Sequence, residues 1–193
     1  MGEEVFKIKI ETFFLKKPSL QRYAAEKVTK SQFGGAGTAG TFYIMASGFA
    51  DLINQELGIN SIAEVTAGSV ENNKLLGMEK IEMAVSQLDV AQSALAGTDD
   101  FDEPVDITAI APMYPNVVQI ITLKDSPINS VADLKGKKVS VGSPGSGVLA
   151  TNELILETLG ISMDDIDPQY LSFEETTTAF RDGSIDAAIA NTA

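Results

Sequence analysis

Two glycine-rich stretches hold the residues best suited to gripping another molecule. The first, Gly34-Gly35-Ala36-Gly37-Thr38-Ala39-Gly40-Thr41, runs into Phe42, Tyr43 and an amphipathic helix. Glycines admit close approach to the backbone, and the unpaired N–H groups of a helix start, at the positive end of its dipole, seat a carboxylate or phosphate. Thr38 and Thr41 add hydroxyl donors. The second, Gly142-Ser143-Pro144-Gly145-Ser146-Gly147, again falls between an expected strand and an expected helix. Neither stretch contains Lys or Arg, so an anion there would be held by neutral dipoles. Each is equally readable as a turn that binds nothing.

Other chemistries fit these stretches less well. Gly35-x-Gly37-x-x-Gly40 has the spacing of a dinucleotide fingerprint, which makes a Rossmann-like oxidoreductase domain the alternative reading. The strand before such a fingerprint is almost continuously apolar, whereas Val28-Thr29-Lys30-Ser31-Gln32-Phe33 carries a lysine and a glutamine. The second stretch imitates a P-loop until Val148 and Leu149, where that motif requires Lys and Ser/Thr. Ser146 is no nucleophile on this reading, because the chain has no histidine to activate it.

Three further places join the set. Ser69 and Asn72 open a helix after Val65-Thr66-Ala67-Gly68, with Ser69 readable as an N-cap or as a ligand donor. Gln87 directly follows a strand, where a neutral amide either caps or reaches a ligand. Tyr114, between Pro112 and Pro115, is either hinge packing or a stacking wall. All fall at strand-to-helix turns, the edge at which open α/β sheets bind ligands.

Composition narrows the chemistry. With no histidine and no cysteine among 193 residues, thiolate and imidazole metal sites, disulfides and Ser-His triads are excluded. No metal, cofactor or catalytic residue is expected, and the chain is read as a binder rather than an enzyme. The formal charge is −13, yet residues 1–30 hold seven Lys and Arg against four Asp and Glu, so the body is more acidic still. Such a body repels the phosphate backbone of nucleic acid and an anionic membrane surface. No apolar run approaches the roughly 20 residues of a membrane-spanning helix. The N-terminal stretch carries Glu3 and Glu4 and lacks an apolar h-region, so no signal peptide is visible.

The elements that must position these residues follow from periodicity. From Phe33 onward apolar runs alternate with helical periods, which implies βαβ units and largely parallel sheets. Helices are expected at Thr41–Glu56, Val70–Leu76, Gln87–Leu95, Val131–Leu134, Ser146–Leu159 and Phe173–Asp182. Strands are expected at Ile62–Thr66, Ile81–Val85, Ile107–Ala111, Val117–Leu123, Lys138–Val141, Gln169–Ser172 and Ile185–Ala190. Val5, Ile8 and Ile10 suggest a further short strand, and Lys16 to Lys30 a polar connector or helix. The organisation expected is an extension over residues 1–30, a first lobe over 31–112 and a second over 113–193. The second lobe is read as incomplete, because the text ends directly after a strand.

Taken in order, Gly37-Thr38-Ala39-Gly40-Thr41-Phe42-Tyr43, Ala67-Gly68-Ser69-Val70-Glu71-Asn72, Gln87-Leu88-Asp89-Val90-Ala91, Met113 to Ile120 and Ser130 to Gly147 resemble the TAXI family of TRAP-transporter solute receptors. The likeness continues through Tyr170 to Phe173 and Asp182 to Ala187, and spans about Gly34 to Ala193. It implies a type II periplasmic-binding-protein fold, two doubly wound lobes outside the cytoplasmic membrane. It also implies capture, by lobe closure, of a small anionic or polar metabolite such as glutamate, glutamine or another carboxylate, and delivery to a TRAP membrane permease. Carried over by motif, the ligand-facing residues are Gly37, Thr38, Thr41, Tyr43, Ser69, Asn72, Gln87 and Tyr114, with Ser143, Gly145, Ser146 and Gly147 from the second loop. The sequence departs from the family pattern at Leu88, Asn116 and Val148.

Overall fold

The computed structural model describes residues 29–192. The strand expected at Val5–Ile10 and most of the connector expected at Lys16–Lys30 lie outside them. The chain divides into two compact units between Tyr114 and Pro115.

The first unit is a three-stranded parallel sheet in the order β2-β1-β3. Strand β1 (Lys30–Gly34) is central and pairs with β2 (Asn60–Glu64) on one side and with the short β3 (Met83–Ala84) on the other. Each strand feeds a helix: α1 (Thr41–Leu57), α2 (Ser69–Gly77) and α3 (Leu88–Ala96). Because the strands are parallel, all three helix starts lie at the same edge of the sheet, the carboxyl edge. The core forms around Phe33, Ala46 and Val85, with Phe42, Met45, Phe49 and Ile53 packed against it. Phe33 and Phe49 stack with ring centroids 5.8 Å apart and nearly parallel planes, which fixes α1 against the central strand. Of the residues that argued against a buried central strand, Lys30 is exposed at its start and Gln32 is half-buried on it, and Gln32 Nε2 donates to Glu64 on β2.

The second unit is a four-stranded sheet in the order β4-β7-β5-β6. Its strands are β4 (Val117–Thr122), β5 (Lys138–Ser140), β6 (Asp167–Gln169) and β7 (Ala187–Thr192), and its helices are α4 (Gly147–Thr158) and α5 (Phe173–Arg181). Strand β5 runs parallel to β6 and β7, whereas β4 is antiparallel to β7. Setting β4 aside, β5-loop-α4-β6-α5-β7 repeats the connectivity and the spatial order of β1-loop-α1-β2-α2-β3. In both units the central strand is the one that runs into a glycine loop.

The α/β reading and its helices hold to within a residue or two at their ends. Val131–Leu134 is a 3-10 turn rather than an α-helix. The strands differ more. Ile107–Ala111 makes no strand, only an isolated bridge at Thr108, since Pro112 and Pro115 take two N–H donors from any ladder at its end. Strand β2 begins two residues before the expected Ile62 because Ser61 is held by Asn54 of α1, N–H to Oδ1 and carbonyl to Nδ2, both 2.8 Å. Strand β6 lies ahead of the expected Gln169–Ser172 and includes Pro168, which an edge strand tolerates. Ser172 instead caps α5. Strand β7 starts at Ala187 rather than Ile185.

Candidate functional site

The carboxyl edge of the first sheet is where most of the expected residues meet. None of its three helix starts has a side-chain cap: the N-cap positions of α1, α2 and α3 are Gly40, Gly68 and Gln87, and none accepts a first-turn N–H through its side chain. First-turn amides have no partner within a helix. Those of Thr41, Phe42, Ser69, Val70 and Leu88 find no acceptor among the described residues. The edge is therefore lined with donors at three positive dipole ends.

A buried polar network holds that edge in shape. Asn72, fully buried on α2, donates from Nδ2 to the carbonyls of Gly35 (2.7 Å) and Val85 (2.8 Å), and its Oδ1 accepts from the Thr66 hydroxyl (2.8 Å). One amide thus ties the ends of all three strands. Ser69, also buried, accepts the Gln87 N–H on its Oγ at 3.0 Å and so links the start of α2 to the start of α3. It is not the N-cap of α2; Gly68 holds that position. Asn73 donates to the Ser69 carbonyl (3.0 Å) and the Ser86 hydroxyl (2.9 Å). Buried polar groups are normally paired, since an orphan costs about 1–3 kcal/mol. Gln87 Oε1 is such an orphan, on a residue only 8% exposed.

The first glycine stretch divides its tasks. A Cβ at Gly35 would stand 2.9 Å from the Tyr43 Cα, so this glycine serves the packing of α1 on β1. Gly37 has open space around it and is exposed, as are Thr38 and Thr41, while Tyr43 is half-buried. Tyr114 is half-buried and edge-on to Phe42, with centroids 6.4 Å apart; burial pushes its phenol pKa up, which keeps it a neutral hydroxyl. Asn72 is the one expected ligand residue whose amide is spent within the unit on both its nitrogen and its oxygen.

The second unit carries the other glycine stretch and treats it differently. Gly142 has a left-handed φ of 103°, and a Cβ there would meet the Leu149 amide at 2.8 Å, so the turn requires glycine. Ser146 caps α4, its Oγ accepting the Leu149 N–H at 3.1 Å. Ser143 and Gly145 are partly exposed, and Gly147, the first residue of α4, is buried. Asn152, fully buried on α4, donates to the carbonyls of Val141, just past the end of β5, and of Ile189, within β7, each at 3.0 Å, and so ties α4 to two neighbouring strands.

Sequence reasoning missed Thr66, Asn73, Ser86 and Asn152. The signal available was composition: an asparagine inside an otherwise apolar helical period has poor helix propensity and competes for backbone bonds, so it implies a side-chain task. Among the described residues no group of three His, Cys, Asp or Glu side chains could hold a metal ion. No described helix is long and apolar enough to cross a membrane.

The α/β units, one with a parallel and one with a mixed sheet, match the fold of type II periplasmic-binding-protein structures. The alkanesulfonate-binding protein of Xanthomonas axonopodis pv. citri superposes with a TM-score of 0.57 over 84% of this chain and 54% of its own, at 21% identity. An ancestral arginine-binding protein bound to glutamine gives 0.57 over 86% and 71%, at 16% identity. The profile of the NMT1-like family matches residues 33–193, and the chain belongs to that family. Over 81 residues it is 36% identical to a protein of Escherichia coli (strain K12) named as an aliphatic sulfonates-binding protein. That match spans 40% of this chain and 24% of the relative, so the chain covers about a quarter of that curated protein's length.

Proposed function

We propose that the chain is a solute receptor of a transport system that captures a small anionic or polar metabolite and does no chemistry on it. The observation that carries this is the carboxyl edge of the first sheet, where three uncapped helix starts present free N–H groups around a rigid asparagine-centred network. Backbone donors at helix starts stabilise a carboxylate or sulfonate without a cation. Thr38, Thr41 and the neutral Tyr114 hydroxyl add side-chain contacts, Tyr43 and Phe42 an apolar wall, and Gln87 Oε1 a buried acceptor for a solute N–H or O–H. Asn72 and Ser69 position this edge. Ser143, Gly145, Ser146 and Gly147 are assigned to the same task in the second unit.

The motif resemblance favours an amino acid or organic acid, glutamate and glutamine first, a TRAP-type permease as partner and an extracytoplasmic location. The relatives named for sulfonates extend the panel to that class. Calorimetric titration with glutamate, glutamine, a dicarboxylate and an alkanesulfonate tests the proposal. Saturable heat with at least one is expected, and flat traces with all four overturn it. Saturable quenching by NAD(H) would instead favour the dinucleotide reading through Gly35, Gly37 and Gly40.

A further inference from the structure

The outer strands of the two sheets are finished differently. A strand at a sheet edge turns a row of unpaired N–H and C=O groups outward, and proteins blunt such edges with charge, proline or shortness. In the first unit β3 has two residues and β2 carries Glu64. In the second, β6 has three residues and includes Asp167 and Pro168. Strand β4 has none of these devices. It runs for six residues, Val117–Thr122, holds no charged residue and no proline, and pairs with β7 alone among the described strands.

Both faces of β4 are apolar and open. Val118 packs against the core that Leu156 of α4 helps to form, so Ile120 lies on that face, while Val117, Ile121 and, one residue past the strand, Leu123 lie on the other. Val117 is 50% exposed, Ile120 39%, Ile121 40% and Leu123 54%. No Asp, Glu, Lys or Arg occurs over residues 107–123 of a chain whose formal charge is −13. Two chains of this charge repel each other, and an uncharged strand is where that repulsion is least.

We propose that β4 pairs with β4 of a second copy of this chain, antiparallel about a twofold axis at Ile120, joining two four-stranded sheets into one of eight. A twofold axis across an antiparallel edge keeps each face with its like and sets Val117 opposite Leu123, Val118 opposite Thr122 and Ile120 opposite its own copy. Apolar groups thus meet across the edge, and Lys124 falls opposite the neutral Asn116. The occupant has to be an extended, uncharged, apolar strand, because β4 offers no counter-charge to a basic or acidic peptide; another β4 is such a strand. The outer edges of the joined sheet are then the two β6 strands, whose Asp167 and Pro168 stop further addition, so pairing ends at two copies. A contact of one six-residue strand falls short of the roughly 800 Å² per partner of a standard interface, so a dissociation constant of about 10–500 µM is expected. This pairing does not depend on the solute-receptor reading.

Sedimentation velocity on the full chain from about 5 µM to 1 mM is expected to show monomer converting to dimer, with no larger species. Ile120→Lys sets two like charges face to face at the axis and should raise the dissociation constant about tenfold or more. The chain has no cysteine, so a single introduced thiol reports the axis in an otherwise unaltered strand. Residues opposite each other across paired strands have Cβ atoms within about 5.5 Å, so Ile120→Cys should be linked into a covalent dimer by a short bifunctional thiol reagent about tenfold faster than Leu154→Cys, whose side chain is exposed on α4. Circular dichroism checks that each variant folds. Cross-linking at equal rates, or a dimer that folded Ile120→Lys leaves as tight, overturns the proposal. So does a monomer at every concentration, and slow hydrogen exchange across β4 in that monomer would assign the edge to another part of the same chain.

Discussion

The two units share one connectivity and order their strands alike, yet they finish their helix starts in opposite ways. In the first, Gly40, Gly68 and Gln87 leave three helix starts without a side-chain cap. In the second, Ser146 caps α4, a Ser172–Glu175 capping box closes α5, and further boxes close the 3-10 turns at Ser130–Asp133 and Ser162–Asp165. A cap contributes about 1 kcal/mol to stability. Forgoing three of them on one sheet edge costs stability locally and gains a row of free donors, which is what an anion-binding edge needs. The same contrast runs through the glycines: Gly142 is demanded by its own turn, while Gly37 has open space and faces solvent.

The comparison can be broken at the asparagines first. Asn72→Ala strips partners from Gly35, Val85 and Thr66, and should destabilise the first unit by about 3–4 kcal/mol. Asn152→Ala strips two carbonyls and should cost the second unit about 2–3 kcal/mol. Hydrogen exchange resolved by peptide measures each unit separately; equal and small effects would mean that the strand ends are held by something else. Next in size is Gly142→Ala, which combines a left-handed φ with a clash against α4 and should cost about 2–3 kcal/mol. Gly37→Ala should stay within about 0.5 kcal/mol in chemical denaturation, and a large loss there would show a hidden structural role for the first loop.

The capping boxes give a smaller and pH-dependent contrast. Backbone N–H groups of Asn129, Ser162 and Ser172 are the first cause holding Asp133, Asp165 and Glu175 below the ordinary carboxylate range. A folded-state pKa below the unfolded one contributes stability that is present above the unfolded value of about 4 and is lost as pH falls through the folded value. Acidification below about pH 4 should therefore loosen the second unit at Val131–Leu134, Met163–Asp165 and the start of α5, with no matching change at the start of α1, whose first turn holds no acidic residue. Peptide-resolved exchange at pH 7 and pH 3.5 checks this, and uniform loosening of both units would contradict it.

Much of this was legible in the sequence, for reasons that differ by element. Helices with strong period and a clear boundary, such as Thr41–Leu57 with Gly58 in left-handed conformation behind it, could be read to within a residue. Strands β2 and β6 could not, because their limits are set by contacts that only the folded unit shows, the Asn54 side chain of α1 for Ser61 and the edge position for Pro168. Within the site, helix-start glycines were visible as motifs, and so the loops were found. The task of Asn72 was not, since a polar residue one turn into a helix reads alike whether it faces a ligand or clamps three strand ends. The open edge of β4 escaped notice because an apolar run reads as a strand whether it lies inside a sheet or at its margin, and only the finished sheet shows which.

The account turns on free main-chain donors at the first unit's sheet edge taking the anionic end of a solute. Backbone amide resonances followed during titration with glutamate test this most directly. The account predicts that Thr41, Phe42, Ser69, Val70 and Leu88 shift together along one saturable curve, with weaker change at the capped start of α5. Saturable binding that leaves those five amides unmoved would contradict it.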